Sequence, residues 1–180
     1  MSDLNIITFR FADQHLLSQI KSALSDILAA QTYCHSPRIN PLTGYNKERD
    51  QFDAALILSD FEDSYPAGYS ILLTDVDLYI PIFTFVFGLA RLGGTSGVVS
   101  ACRLRNEFYG LPQNEALLLE RLVKEIVHEL GHLLNLRHCA NFNCVMSSSN
   151  TVDDLDVKRN RYCESCLKKI AGRNEDSPGQ

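Results

Sequence analysis

Nowhere does the sequence run 18 apolar residues without interruption. Its most apolar stretch, Tyr79 to Ala90, contains Pro81 and has the alternation of a strand. A membrane-spanning helix is therefore excluded. Basic charge is not in excess either: the net charge is −5 and the pI is near 5.5. A nucleic acid or an anionic membrane surface would call for the opposite sign, so neither is an expected partner. The first residues, MSDLNIITFRFADQ, lack the basic and apolar regions of a secretory signal, which makes a cytoplasmic protein the expectation. Because the first predicted strand starts at residue 4, a removable inhibitory propeptide is not expected. Internal repeats are absent.

What is present is an ordinary globular composition, 45% hydrophobic and 22% charged over 180 residues. That is enough chain for one domain with a real core. Residues 4–11 read as a strand. Asp13 caps a helix whose stripe is Leu16, Leu17, Ile20, Leu24, Ile27 and Leu28. Residues 34–46 read as loop. Residues 47–60 read as a second helix, although the C-terminal half fits a strand equally. Residues 68–79 read as a strand ending in a polar turn. The segment 81–104 reads as a hairpin turning at Gly93 and Gly94, with Phe83, Phe85, Phe87 and Leu89 on one face. A long helix spans about 113–135, and a short one lies near 164–171. Strands interleaved with helices predict an α/β or α+β domain, a mixed sheet against two helices with a small C-terminal lobe.

The chemistry is concentrated in HELGHLLNLRHCANFNC, residues 128–144. Residues four apart share a helix face, so His128 and His132 present two imidazoles to one point. Glu129, beside them, is placed to touch a water on a shared metal rather than the metal itself. An open tetrahedral zinc site needs a third protein ligand. His138 lies six residues beyond His132 and would point away if the helix continued. The chain must turn, and Asn135 tolerates the left-handed conformation such a turn requires.

Cys139, Cys144, Cys163 and Cys166 form a C-x4-C and a C-x2-C pair, the pattern of a closed structural zinc. Cys34 and Cys102 have no such partners and read as small hydrophobes. Neighbouring side chains of an extended segment point to opposite sides. His138 therefore faces the open site while Cys139 faces the closed one. Two zinc ions are the expected cofactors, one catalytic and one structural.

This combination, HELGH…HC…C-x-M…C-x-x-C, resembles the archaemetzincins, a metzincin branch with an additional four-cysteine zinc. The segments YNKERDQFDAA, TDVDLYIPIFTFVFGLA and GVVSACRL are also similar, so the resemblance runs over about residues 1–170. It implies a zincin-like metzincin fold: a mixed sheet with an antiparallel edge strand, a backing helix, an active-site helix and a small zinc-knuckle lobe. The catalytic domain would span 1–172, with an upper part to about 135, a lower part from about 136 to 172, and a disordered tail at 173–180. By the same resemblance His128, His132 and His138 bind the catalytic zinc and Glu129 is the general base. Met146 is the Met-turn residue beneath the three His, and the four cysteines hold the second zinc. Residues 82–89 would match the edge strand on which an extended peptide adds. Metzincins usually have Gly where this chain has Asn135.

Other residues have plainer readings. Asp75 and Asp77 suggest either a cation site or turn caps. Tyr162 suggests either an oxyanion donor or packing on the cysteine knuckle, with packing favoured. His15 and His35 fit no ligand pattern. The run 153–164 reads as a solvated face. The expected function is a zinc-dependent metallopeptidase of narrow specificity, aminopeptidase-like in one version, acting as a monomer on peptide or protein substrates. The alternative is a weak or inactive zinc-stabilised protein that binds peptides or proteins. A zinc-ribbon nucleic-acid module fits poorly with the acidic charge.

Overall fold

The computed structural model describes residues 3–28, 32–35, 42–64 and 68–175. Strand β1 (Leu4–Phe9) leads into α1 (Gln14–Leu28), whose first turn is capped by Asp13 Oδ1 accepting from Leu16 N at 2.9 Å. Next come β2 (Thr32–His35), β3 (Tyr45–Asn46), β4 (Gln51–Asp53) and α2 (Ala54–Ser64). They are followed by β5 (Tyr69–Thr74), β6 (Leu78–Ile80), β7 (Phe83–Val86), β8 (Gly88–Ala90) and β9 (Ser96–Ser100). Two 3-10 turns, Cys102–Leu104 and Asn106–Tyr109, precede α3 (Glu115–Leu133), α4 (Val152–Val157) and α5 (Glu164–Glu175). No helix among the described residues is long and apolar enough to cross a membrane.

The expected mixed sheet is present, with order β2-β1-β5-β9-β8. Four of its strands run parallel, and β8 pairs antiparallel with β9 at the edge. A second sheet, β3-β4-β6-β7, was not anticipated. The parallel strands are buried on both faces, as parallel strands must be when helices cover both sides. Leu4, Ile6, Ile71, Leu73 and Val99 pack against α1 and α3. The alternate residues Ile7, Phe9, Leu72 and Val98 pack against Ile57, Leu58 and Phe61 of α2.

Several boundaries differ from expectation, each for a local reason. The helix read over 47–60 starts only at Ala54. Asp50 has φ +51° and Asp53 caps the helix through Ala55 N at 2.9 Å, while Phe52 pairs with Leu78 as a strand residue. The single hairpin read over 81–104 is two pieces. Residues 83–86 belong to the second sheet and 88–90 to the first, so the alternation breaks at Gly88. Phe85 and Phe87 join the α3 side, whereas Val86 and Leu89 join the α2 side and Phe83 is exposed. The short helix read at 164–171 continues to Glu175, and 176–180 lie outside the described residues. The side chains of Cys34 and His35 also lie outside them, while His15 is exposed as expected.

The run 153–164 is only in part a solvated face: Asp153, Asp154, Arg159, Arg161 and Glu164 are exposed, but Leu155 and Lys158 are buried. Thr151 and Asp154 build a capping box that starts α4. Arg121 of α3, almost buried, then grips Asp156 with two bonds of 2.7 and 2.6 Å and also donates to Leu104 O. Lys124 Nζ donates to Asp156 O at 2.9 Å. The arginine is buried among its acceptors, so loss of the carboxylate leaves a charge without its partner. Asp156→Ala is expected to cost about 2–3 kcal/mol and lower Tm by about 5–10 °C. An unchanged thermal unfolding curve would show that the pair does not hold α4 in place.

Candidate active site

Helix α3 starts at Asn114, whose side chain accepts from Leu117 N at 3.0 Å, and carries His128, Glu129 and His132 in its last two turns. It ends in a Schellman turn. Asn135 has φ +59°, Leu136 N donates to Gly131 O at 2.8 Å, and Asn135 N donates to His132 O at 2.8 Å. The turn expected at Asn135 is therefore made, and made without glycine. It returns the chain so that His138 faces the histidine pair. The ring centroids stand 4.7, 5.3 and 5.1 Å apart, and one nitrogen from each ring lies within 4.8 Å of the others.

Two carbonyls decide which nitrogens converge. His128 Nδ1 lies 2.7 Å from Val145 O and His132 Nδ1 lies 2.8 Å from Leu136 O. A carbonyl only accepts, so each Nδ1 carries the proton and each Nε2 presents a lone pair. Those two Nε2 atoms are 3.2 Å apart. Two unprotonated nitrogens at that distance repel unless a cation lies between them. A tetrahedral zinc with Zn–N of about 2.05 Å sets N–N edges of about 3.3 Å. Burial pushes all three imidazoles below their usual pKa, which keeps them neutral and able to ligate. The residues fit the ion.

The cysteine cluster passes the same test. Cys139 Sγ to Cys163 Sγ and Cys144 Sγ to Cys166 Sγ are both 3.8 Å. A disulfide needs about 2.05 Å, whereas Zn–S bonds of about 2.3 Å give tetrahedral edges of about 3.8 Å. All four sulfurs lie within 4.8 Å of one another. The Cys166 N–H draws the Cys163 thiol down to about 7, and burial pushes Cys144 and Cys166 up. His138 and Cys139 do serve neighbouring clusters, and Cys139 N is pinned to Met146 O at 2.9 Å.

The other sequence candidates resolve differently. Met146 is fully buried under the helix at Gly131. The Tyr162 hydroxyl donates to Val127 O at 2.8 Å on the back of α3. That fits packing and removes it as an oxyanion donor. Asp77 is held by Arg103 at 2.6 and 2.8 Å, and Asp75 by Arg105 at 2.7 Å, so the two carboxylates are ion-pair partners rather than a cation site. Cys102 is a partly buried free thiol, raised to about 11 by burial.

A cavity of about 670 Å³ opens onto the three histidines. One wall is the segment Phe83 to Ala90, held from outside by Arg49 and Gln51, both of which donate to Thr84 O, at 2.9 and 3.0 Å. Ser148, Ser149, Asn150 and Lys158 also line the cavity. Glu129 Oε2 is buried with no hydrogen-bond partner among the described residues. Burial and the adjacent Glu125 carboxyl raise the Glu129 pKa well above the ordinary value.

Sequence reasoning missed four residues here. Glu125 lies one turn before Glu129, a spacing that a four-residue scan would have found. Lys158 was read as solvated but is only 2% exposed. Gly88 and Gly131 carry no chemistry, so only packing reveals them. A Cβ at Gly88 would stand 2.7 Å from Glu129 Oε1 and 2.9 Å from Val98 O, and one at Gly131 would overlap Met146 Sδ. Gly131→Ala is expected to displace Met146, costing about 1–3 kcal/mol. Thermal unfolding checks this, and a variant as stable as the parent would mean that the methionine gives way freely.

The model of peptidase family M54 matches residues 57–172. An archaemetzincin from Methanocaldococcus jannaschii is 48% identical over 140 residues, covering 76% of this chain and 76% of that one. The crystal structure of an archaemetzincin from Archaeoglobus fulgidus, complexed with malonate, superposes with a TM-score of 0.81 at 34% identity, covering 94% of this chain and 99% of that one. That of a zinc-dependent peptidase from Methanocorpusculum labreanum superposes with a TM-score of 0.84 at 30% identity, covering 93% and 100%. By sequence and by fold, the chain belongs to peptidase family M54, the archaemetzincins, and is a zinc metallopeptidase.

Proposed function

We propose that the cleft hydrolyses peptide bonds with His128, His132 and His138 holding the catalytic zinc, Glu129 as general base, and narrow selection of the substrate. The observation that carries this is Glu129, which lines the same cavity as the three convergent histidines and whose buried Oε2 makes no hydrogen bond among the described residues. The Glu129 carboxyl also shares a hydrogen bond with Glu125, and two buried carboxyls side by side with one oxygen unsatisfied are costly unless they serve a reaction. When bound, zinc supplies a Lewis acid that brings the pKa of water toward about 7 and stabilises negative charge on a carbonyl oxygen.

The protein's own groups do the rest. Glu129 accepts the proton of the attacking water and returns it to the leaving amine nitrogen. Its raised pKa, caused by burial and then by Glu125, suits a group that must both take and release a proton. Val145 O and Leu136 O hold the two helical imidazoles in one tautomer and orientation. Strand β8 is the last strand of its sheet and offers a backbone edge on which an extended peptide adds. The cysteine cluster takes the second zinc, with no open position, and fixes the segment that carries His138. The left-handed turn at Asn135, made without glycine, supports the catalytic reading over an inactive binding protein.

Glu129→Gln is expected to retain two zinc ions per chain by elemental analysis and lose about 10²–10⁴-fold in peptide cleavage. Cleavage at the parental rate would refute the mechanism. Cys163→Ser is expected to weaken zinc binding at the histidine site, read by competition with a chromogenic chelator, because His138 and Cys139 are adjacent. Unaltered affinity there would mean that the two sites are independent.

A further inference from the structure

Strand β7 is irregular where it passes the cleft. Leu78 pairs with Val86 and Ile80 with Phe83, so Tyr79 alone opposes both Thr84 and Phe85. That is a bulge, a feature that interrupts the backbone ladder and re-aims a side chain. Side chains hold the interrupted stretch instead. Gln51 Nε2 donates to Thr84 O at 3.0 Å and to Asp77 Oδ2 at 2.9 Å. Arg103 donates to both oxygens of the same Asp77, at 2.6 and 2.8 Å. The Arg103 guanidinium lies over the Phe85 ring, 4.3 Å from its centroid, and over the Phe108 ring at 4.6 Å. Phe87 meets the Phe85 ring edge-on, with centroids 5.3 Å apart. One carboxylate therefore anchors the bulge twice, at the backbone of Thr84 through Gln51 and at the ring of Phe85 through Arg103.

Thr84 and Phe85 line the same cavity as the three histidines, and Phe85 is only half-buried. The guanidinium spends its fork of N–H groups on Asp77 and gives its flat face to the ring, a division of labour that an ammonium cannot match. We propose that Arg103, anchored on Asp77, is a positioning residue: it fixes Phe85 as a preformed wall of the cleft, against which an apolar side chain of the peptide packs. The proposal deepens the peptidase reading and rests on it. A wall fixed in advance favours binding, because the substrate does not have to order it. Val86 and Leu89, further along the same segment, also line the cavity and are apolar. A charged side chain placed there would lose water without gaining a partner from Phe85, Val86 or Leu89.

The test separates binding from catalysis. Hexapeptides on an Ala–Gly background carry Phe, Ala or Glu at one position at a time. Their affinity is measured by calorimetry on zinc-loaded Glu129→Gln protein and their cleavage on the parent enzyme. At one position the Phe peptide is expected to bind at least about tenfold tighter than the other two, and adding Phe85→Ala should bring the Phe-to-Ala ratio below about 3. Arg103→Lys keeps the cation but loses the fork and the flat face. It should cut the ratio at least about threefold. In the cleaving enzyme it should raise KM for the Phe peptide while kcat stays within about twofold. A brace that is only structural would weaken the Phe and Ala peptides alike, so an unchanged ratio in Arg103→Lys overturns the positioning role. Should that variant not fold, Phe108→Leu, at an exposed position, decides by the same criterion, with a drop of about twofold expected. An Ala or Glu peptide bound as tightly as Phe at every position overturns the apolar wall, even if the parent cleaves all of them. A Phe preference in binding without cleavage by the parent upholds the wall and refutes the catalytic reading instead.

Discussion

Two carbonyl oxygens, Val145 O and Leu136 O, impose the constraint on which the metal centre depends. Each takes the Nδ1 proton of one helical histidine and so leaves Nε2 bare toward the cleft. Neither carbonyl belongs to α3 itself. Leu136 O is available because the helix ends in a left-handed residue one position earlier, and Val145 O because the segment after the first cysteine pair folds back beneath the helix. The same turn that positions Leu136 brings His138 into range. One helix terminus thus sets a tautomer and delivers a ligand.

The rest of the architecture brings flanking elements close enough to that terminus. Gly93 N of the β8–β9 turn donates to His132 O at 2.8 Å, the same oxygen that Asn135 N uses. Gly88 lets the edge strand lie against Glu129, and Gly131 lets Met146 lie against the helix between the two histidines. Both contacts are closer than a Cβ permits. The buried Arg121 and Lys124 hold α4 from the far side. Lys158, just after α4, then reaches the cleft rather than solvent. Burying two lysines and an arginine is costly, and each is compensated by carbonyl or carboxylate oxygens.

The site was more legible than the fold around it. His128, Glu129, His132, the four cysteines and the turn at Asn135 follow from helical spacing, donor chemistry and left-handed tolerance, all of which are local in sequence. The helix stripe of α1 and its Asp13 cap were equally local. The strand start at Gln51, the division of 83–90 between two sheets, and α4 were not. In each case a distant partner overrides the local pattern: Leu78 for Phe52, two different sheets for the phenylalanine run, and Arg121 for Asp156. Tyr162 and the Asp75–Asp77 pair were ambiguous because a hydroxyl or carboxylate has the same appearance in sequence whether it faces a substrate or a backbone carbonyl or arginine.

The sequence by itself determined which atoms are able to bind metal and which carboxylate lies in the same helix turn as two of them. Those properties belong to residue type and to spacing within a single helix turn or cysteine pair. Only the tertiary structure decided which nitrogen of the His128 and His132 rings is free, how near β8 comes to Glu129, and that Glu125 and Lys158 line the cleft. Apart from His132 with Leu136, these depend on contacts between residues far apart in the chain, such as His128 with Val145 and Gly88 with Glu129. Packing brings such pairs together, and no periodicity in the chain encodes it.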